Sequence, residues 1–412
     1  MINKVLQNLF RGLEVSIGVL LLLFADNLNI PSNVGTALNA LTYPIVLILV
    51  ISQSKRIIYI LSKDVSLVFL VMLALLSNIW SQSIDITSLQ SRALLRNTLF
   101  ATYLAARYSP VEMIRLLSSS MSISIIMSIT LGIAMPSIGT EIVNGLLTWR
   151  GIYSFKQFLG RVMAISSVVF LIRSLDKKYN RLFSCLGLSS SIMLILLSQS
   201  RTSLILLITA IFLLPVYKIL TQSTKIRIIL FIIFGIACIS VMAIILPNLE
   251  FIVVDLLGKD MEFNGRTPIW TLTIEKGLER PFFGYGYAGF WKSDDALYVL
   301  NNTWGGSIMA KTGAFHAHNG LLDIFMQLGF VGLGLFIINL ISLCYRVIKI
   351  IIATKTLESF WMLQIIVIKM ILNQVEVITI LSPNNIFWIL YVYIAFSSAV
   401  WYRRLCHNQP AI

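Results

Sequence analysis

Charge is what this chain has least of. Only 12% of its 412 residues are Asp, Glu, Lys or Arg, where soluble domains carry about 25%. Acidic residues are scarcer still, 18 against 32 basic ones. The basic residues lie scattered in short loops and form no single patch, which argues against a nucleic-acid partner. Cysteine is also sparse. Cys185, Cys238, Cys344 and Cys406 show no CxxC spacing and avoid the one long polar segment, so neither a disulfide framework nor a zinc site is supported. Of the three histidines, His316 and His318 stand two apart, which is not the H-x-x-x-H spacing of a metal pair on a helix. The first apolar stretch lacks an A-x-A-type cleavage site and reads as a retained span. No internal repeat relates the two halves, unlike in many transporters.

What remains is apolar. Hydrophobic residues make up 57% of the chain, and the mean hydropathy is +0.86. These values define an all-α polytopic membrane protein. A span needs about 20 mostly apolar residues. Segments near 12–24, 36–52, 65–80, 93–106, 112–134, 158–173, 183–198, 202–217, 228–246, 328–345, 359–380 and 387–402 qualify as expected spans, about twelve in total by that length rule. The first and fourth are short or polar. Lys and Arg concentrate in alternate loops, among them Lys55, Arg56 and Lys63; Lys177, Lys178 and Arg181; and Arg403 and Arg404. The loops near 25–35, 81–91 and 381–386 carry none. The positive-inside rule then predicts both termini in the cytoplasm. Residues 1–412 form one membrane domain, with one large extracytoplasmic loop over 249–327, between the ninth and tenth spans.

That loop is the long segment that is not mainly apolar, and a polar loop on a rigid helical scaffold is where chemistry is usually placed. Asn264-Gly265 predicts a turn and Thr267–Leu278 a helix, which Arg280-Pro281 ends. Gly284-Tyr285-Gly286-Tyr287-Ala288-Gly289 is a glycine-aromatic run. Tyr285, Tyr287 and Trp291 there are candidate sugar-stacking residues, or else an aromatic belt on the membrane surface. Glycine would let the backbone approach a sugar or phosphate closely. Cations on the outer side break the orientation rule and so draw notice: Arg150, Lys156, Arg201, Arg266 and Arg280. Arg201, in a tight turn, is either a ligand for anions or an arginine snorkelling to the interface. Arg150 and Lys156 are candidate substrate contacts or ordinary loop cations. Lys369 and Glu376 are ionisable groups within an expected span, a functional-site signal. Asp323 lies five residues beyond His318, too far to orient its ring except indirectly.

Several of these pieces together resemble the O-antigen ligase and polysaccharide polymerase superfamily. They are Ser200-Arg201-Thr202-Ser203, Gly265-Arg266-x3-Trp270, Pro281-x2-Gly284-Tyr285-Gly286, Ala317-His318-Asn319-x2-Leu322 and Gln327-Leu328-Gly329-Phe330-Val331-Gly332, spread over roughly 150–345. Trp80-Ser81 and Tyr103-Leu104-Ala105-Ala106-Arg107-Tyr108 are similar to the exopolysaccharide polymerase branch. Lys156-Gln157 departs from the His-Lys-Asn that related proteins often carry, which weakens a role for this segment. The resemblance implies a GT-C-like fold in the bacterial cytoplasmic membrane. It implies transfer of a glycan from an undecaprenyl-diphosphate carrier to a sugar hydroxyl, without metal or other cofactor. Arg201 and Arg266 would bind the diphosphate, since guanidinium groups hold phosphate oxygens bidentately. His318 would take the acceptor proton as general base. Asn319 and Glu376 are further candidate substrate contacts. Membrane lipids, and a chain-length regulator or flippase, are candidate partners. The product is a polymer of lipid-linked repeat units or, alternatively, a glycan ligated onto lipid A core. A transporter of lipid-linked sugars and a non-catalytic assembly scaffold are the readings from other classes.

Overall fold

The structure is a computed structural model that describes residues 2–143, 145–245, 248, 265–313, 315–375 and 380–406. Glu376 and the first part of the expected loop, 249–264, lie outside the described residues.

In chain order the helices begin with α1 (Ile2–Leu23), α2 (Ser32–Ser52), α3 (Ser54–Leu61), α4 (Val65–Leu76), α5 (Ile84–Arg107), α6 (Pro110–Ala134) and α7 (Pro136–Gly139). A hairpin of β1 (Thr140–Val143) and β2 (Leu146–Trp149) follows. Next come α8 (Lys156–Leu175), α9 (Arg181–Ser198), α10 (Arg201–Phe212), α11 (Leu214–Leu220) and α12 (Thr224–Ile245). Then come α13 (Arg266–Glu279), α14 (Asp294–Asn301) and α15 (Gly305–Thr312). The chain closes with α16 (Gly320–Thr354), α17 (Leu357–Val375) and α18 (Ile386–Cys406). The hairpin is a small departure from the all-α expectation. It pairs antiparallel with Thr140 opposite Trp149. Gly145 turns it at φ +77°, a left-handed value that costs glycine nothing.

The described part of each expected span is largely helical, but length and apolarity alone single out fewer than twelve. Among the described residues seven helices are long and apolar enough to cross a membrane, or eight if the bent pair Ser54–Leu61 and Val65–Ile79 counts as one. α5 is not one of them, because Asp85, Arg92 and Arg96 interrupt it.

Helix ends are set by local chemistry. Ser109 and Glu112 form a reciprocal capping box at the start of α6, where Pro110 needs no donor. Gln199 closes α9 in the left-handed conformation, and the hydroxyl of the next residue, Ser200, caps α10. This makes the tight turn that carries Arg201. The bundle centres on α8 and α18, both mostly buried. Gly160 of α8 lets α10 cross closely, since a Cβ there would fall 3.0 Å from the Ser200 Cβ and inside the Ser203 side chain. The opposite half is pinned by a buried polar network. Asp64 ion-pairs with Arg346 and accepts from Asn339 Nδ2 at 2.8 Å. Asn339 in turn accepts from the Tyr391 hydroxyl. Removing one partner of such a pair strands a buried charge and typically costs about 3–5 kcal/mol.

The described part of the polar loop is a helical cap with its own core. Ile269, Tyr285, Phe290, Ala296, Val299, Phe315 and Met326 are buried together there.

Candidate active site

Glycine docks the cap onto the bundle. α16 is broken at Gly329 (φ 64°, ψ −164°), which frees the carbonyls of Met326 and Gln327 from helical pairing. Tyr285 N–H donates to the Met326 carbonyl at 2.9 Å and Gly286 N–H to that of Gln327 at 3.0 Å. Phe330 N–H returns a bond to Pro281 at 2.7 Å. A Cβ on Gly284 would sit 2.5 Å from the Met326 oxygen, and one on Gly329 2.2 Å from the Phe282 backbone. Gly284, Gly286 and Gly329 all have positive φ. The close approach expected toward a sugar or phosphate is therefore made here to the chain's own backbone.

The same strand of cap is held from α4 and α5. Ser77 accepts from Tyr287 N–H at 2.8 Å, Thr87 donates to the Tyr287 carbonyl at 2.8 Å, and the Trp80 indole donates to Phe283 at 3.1 Å. Tyr285 and Tyr287 are fully buried and Trp291 nearly so. Their polar tips are used internally: Tyr285 on the Lys276 carbonyl, Tyr287 on Leu381, Trp291 on Asp323. These rings form core and offer no face for a sugar. They are not an aromatic belt either.

The cap positions one short segment, Phe315 to Asn319. Ala317 is its fixed point. The Trp270 indole donates to the Ala317 carbonyl at 2.8 Å, and Ala317 N–H donates to Asp323 Oδ1 at 3.3 Å. Asp323 Oδ1 also accepts from Trp291 at 3.0 Å. Asn319 caps α16, its Oδ1 accepting from Leu321 and Leu322 N–H. His318 sits between these anchors at φ +52°, the left-handed region. For a non-glycine residue that conformation costs about 1 kcal/mol or more, and it persists only where neighbours over-determine it.

That turn changes the expected place of His316. Spacing of two predicts that the two imidazoles point apart. Instead their ring centroids lie 4.0 Å apart, because the left-handed residue folds the segment back on itself. His316 Nδ1 accepts from His318 N–H at 3.2 Å. Burial, and then the nearby His318, Arg266 and Arg161 charges, push the His316 imidazole down to about 3. His316 is thus neutral at ordinary pH. With Nδ1 accepting, its proton sits on Nε2, so it serves as a donor and not as a base. Trp304 flanks His318 at 5.6 Å between centroids, and its indole donates to the Gly265 carbonyl at 2.9 Å.

Arg266 and Trp270 are four apart on α13, hence on one face. Trp270 grips Ala317 while Arg266 bears on His316. Arg161, which the span reading passed over, is the second cation acting on His316. It is buried on the first turns of α8, over the Phe158 ring at 4.3 Å, with Nε donating to the Gln157 carbonyl. The signal for it was available, since a charge within an expected span is functional by default. Arg201 begins α10, whose Ser200 and Ser203 pack on Gly160 of α8. It is exposed and, among the described residues, makes no hydrogen bond or ion pair. Arg150 instead donates to the Ile138 and Ser137 carbonyls and locks α7. Arg280 is exposed on the cap, stacked 4.9 Å from the Tyr285 ring. Lys156 starts α8, where its N–H is capped by Glu141. Lys369 is buried with Nζ 3.6 Å from the Tyr391 ring centroid, an aromatic seat within the bundle. Among the described residues no group of His, Cys, Asp and Glu is arranged to hold a metal ion.

A half-buried histidine pair, with the charges of two arginines acting on His316, lies beside helices long and apolar enough to span a membrane, and this defines a class: a polytopic membrane protein with a polar site on its helical cap. Residues 186–337 match the family model described as O-Antigen ligase. That stretch includes Arg201, Arg266, both site histidines and Asp323, and leaves out Arg161. A curated relative, the "Exopolysaccharide production protein ExoQ" of Rhizobium meliloti (strain 1021), is 27% identical over 92 residues. The match covers 22% of this chain and 21% of that protein. Taken with the motifs, these matches support the resemblance to the O-antigen ligase and polysaccharide polymerase superfamily.

Proposed function

We propose that this protein is a membrane glycosyltransferase that polymerises undecaprenyl-diphosphate-linked oligosaccharide units into a surface polysaccharide, at the outer face of the bacterial cytoplasmic membrane. The observation that carries the reading is the strained His318 packed 4.0 Å from His316, on which the Arg266 and Arg161 charges act. An acceptor sugar hydroxyl attacks the anomeric carbon of the donor glycan. The new glycosidic C–O bond forms as the bond from that carbon to the diphosphate oxygen breaks. His318 takes the hydroxyl proton, and the carrier diphosphate leaves with the electron pair. Charge grows on the diphosphate as it departs, so fixed cations aimed there lower the barrier. Arg266 and Arg201 bind it in this reading, with Arg161 behind them. His316 donates a hydrogen bond from Nε2 to the acceptor or the diphosphate.

The similarity over 92 residues to an exopolysaccharide production protein supports the exopolysaccharide side of this reading, with ligation onto lipid A core as the alternative. A direct test is reconstitution with undecaprenyl-diphosphate glycan. Glycan that lengthens on the carrier is the expected product. His318→Ala should slow transfer by about a hundredfold to ten-thousandfold, the usual loss for a general base. A variant keeping more than about a tenth of the rate would sink the base assignment. Product appearing only on a lipid A core acceptor would favour the ligase.

A further inference from the structure

A cavity opens between α1, α2 and α5. Its volume is about 400 Å3. Its lower walls are apolar, with Leu20 and Leu41 at an exposed rim. Its inner end is polar and contains Arg96, which is buried. Arg96 donates to Asn97 Oδ1 at 3.2 Å, to Thr42 Oγ1 at 2.9 Å, to the Asn39 carbonyl at 3.4 Å and to the Asn39 and Asn384 side-chain oxygens. Every one of these acceptors is neutral. Among the described residues the guanidinium has no carboxylate partner.

A buried charge without a counter-ion is costly, and its neighbours offer dipoles only. Asn97 adds a second, independent sign. Its Oδ1 is spent on Arg96, while its Nδ2 is buried and has no hydrogen-bond partner. Buried donors left unpaired are rare in native structures and call for an explanation. Here the cavity that both residues line supplies one: an anion between Arg96 and Asn97 would satisfy the charge and the orphan donor together. Asp26 also lines the cavity; burial raises its carboxyl to about 6, and the nearby Arg161 charge acts against that rise. Arg161 therefore stands between this cavity and His316, since its charge is felt at both.

We propose that this cavity binds the phosphate end of a second isoprenoid-phosphate lipid, the carrier of the acceptor glycan, with its chain leaving between α1 and α2. The assignment rests on the transfer reading above, which requires two lipid-linked glycans to meet. Both the polar inner end and the apolar, outward-opening rim fit an anionic amphiphile. At about 400 Å3 the cavity sits at the small end of ligand pockets. That suits one headgroup and the start of one chain, and is tight for the two acyl chains of a glycerophospholipid.

The test uses the full chain in nanodiscs and a diazirine-bearing geranylgeranyl phosphate, with labelled peptides mapped by mass spectrometry. Labelling should fall on α1 and α2. Asn97→Leu should weaken it about tenfold or more, the worth of a hydrogen bond to a charged group. Leu41→Trp, placed at the exposed rim where folding is little affected, should abolish it by blocking the mouth. Label confined to other helices would overturn the site. So would unchanged labelling in both variants, or equal displacement by phosphatidylglycerol or by inorganic phosphate. Labelling of α1 and α2 that persists while the reconstituted protein transfers no glycan would overturn the transferase reading and leave the site standing.

Discussion

Trp270→Phe separates positioning from chemistry at the candidate site. The ring is largely kept, so packing in the cap changes little. What is lost is one N–H, the donor that holds the Ala317 carbonyl at 2.8 Å. A hydrogen bond to a half-buried carbonyl contributes about 1 kcal/mol, and leaving that carbonyl unpaired costs about 1–3 kcal/mol. The residue that follows, His318, is strained by about 1 kcal/mol or more and relaxes toward extended backbone once its anchor loosens. Together these terms shift the balance between poised and relaxed segments by about 1.4 kcal/mol or somewhat more, near tenfold in rate. Trp270 touches neither arginine's proposed phosphate ligand, so carrier KM should hold while kcat falls. The assay is initial transfer rate against carrier concentration in proteoliposomes. Asp323→Leu removes the opposite clamp on Ala317 N–H. Because either loss releases the same segment, the double variant should fall short of the product of the two single effects. A Trp270→Phe enzyme within about twofold of wild type would refute the positioning argument, as would one whose KM alone rises.

Three further outcomes are expected. Arg266→Lys keeps charge but loses the planar fork, and should cost roughly 2–4 kcal/mol of transition-state stabilisation in the transfer assay; full activity would leave Arg266 a structural cation. Gly284→Ala places a Cβ 2.5 Å from the Met326 oxygen at φ +65°, so the cap should lose its docking bonds; limited proteolysis of the cap should quicken and Tm fall, and an unchanged digest would contradict the docking account. His316, whose imidazole burial and positive neighbours hold near 3, binds its proton more readily unfolded, near about 6.5. Its stabilising contribution is therefore full above that unfolded value and declines as pH falls toward 3, by up to about 1.4 kcal/mol per pH unit. Thermal melts of His316→Gln should show a shallower acid loss between pH 6.5 and 4 than wild type, and parallel curves would remove His316 from the buried cluster.

The helices were legible because apolar runs and caps are local. The stretch Thr267–Leu278 lies within α13, and Ser200, Ser109 and Asn319 begin helices as their side chains predict. Arg266 and His318 were legible because they sit in a polar segment. Arg161 and Arg96 were not picked out, although the rule that singled out Lys369 applies to both. Arg161 lies near the start of its helix and Arg96 shares a polar half-helix with Arg92 and Asp85, and what each one faces, Asn39 and Asn384 for Arg96 and His316 for Arg161, comes from segments distant in sequence. The fate of Tyr285, Tyr287 and Trp291 was equally hidden. An amphipathic ring faces a core, a membrane or a sugar according to what tertiary structure lays over it, and here Met326, Ser77 and Asp323 decide.

His316 shows how far one dihedral reaches. Reading the segment 316–318 as helix separates the two rings and makes the first a bystander. A single left-handed residue brings them to 4.0 Å and gives them different chemistry. His316 spends Nδ1 on the His318 amide and stays neutral, so it can only donate. His318, carried at the bend, is the proposed proton acceptor. The bend is itself held by Trp270, Asp323 and Asn319, and the cap that supplies Trp270 is held by Gly284 and Gly286 on the broken turn of α16. The motifs Gly265-Arg266-x3-Trp270, Pro281-x2-Gly284-Tyr285-Gly286 and Ala317-His318-Asn319 thus form one mechanical chain. Its first and last members face the substrate in the proposed reaction, and its middle member serves only to keep them apart by the right distance.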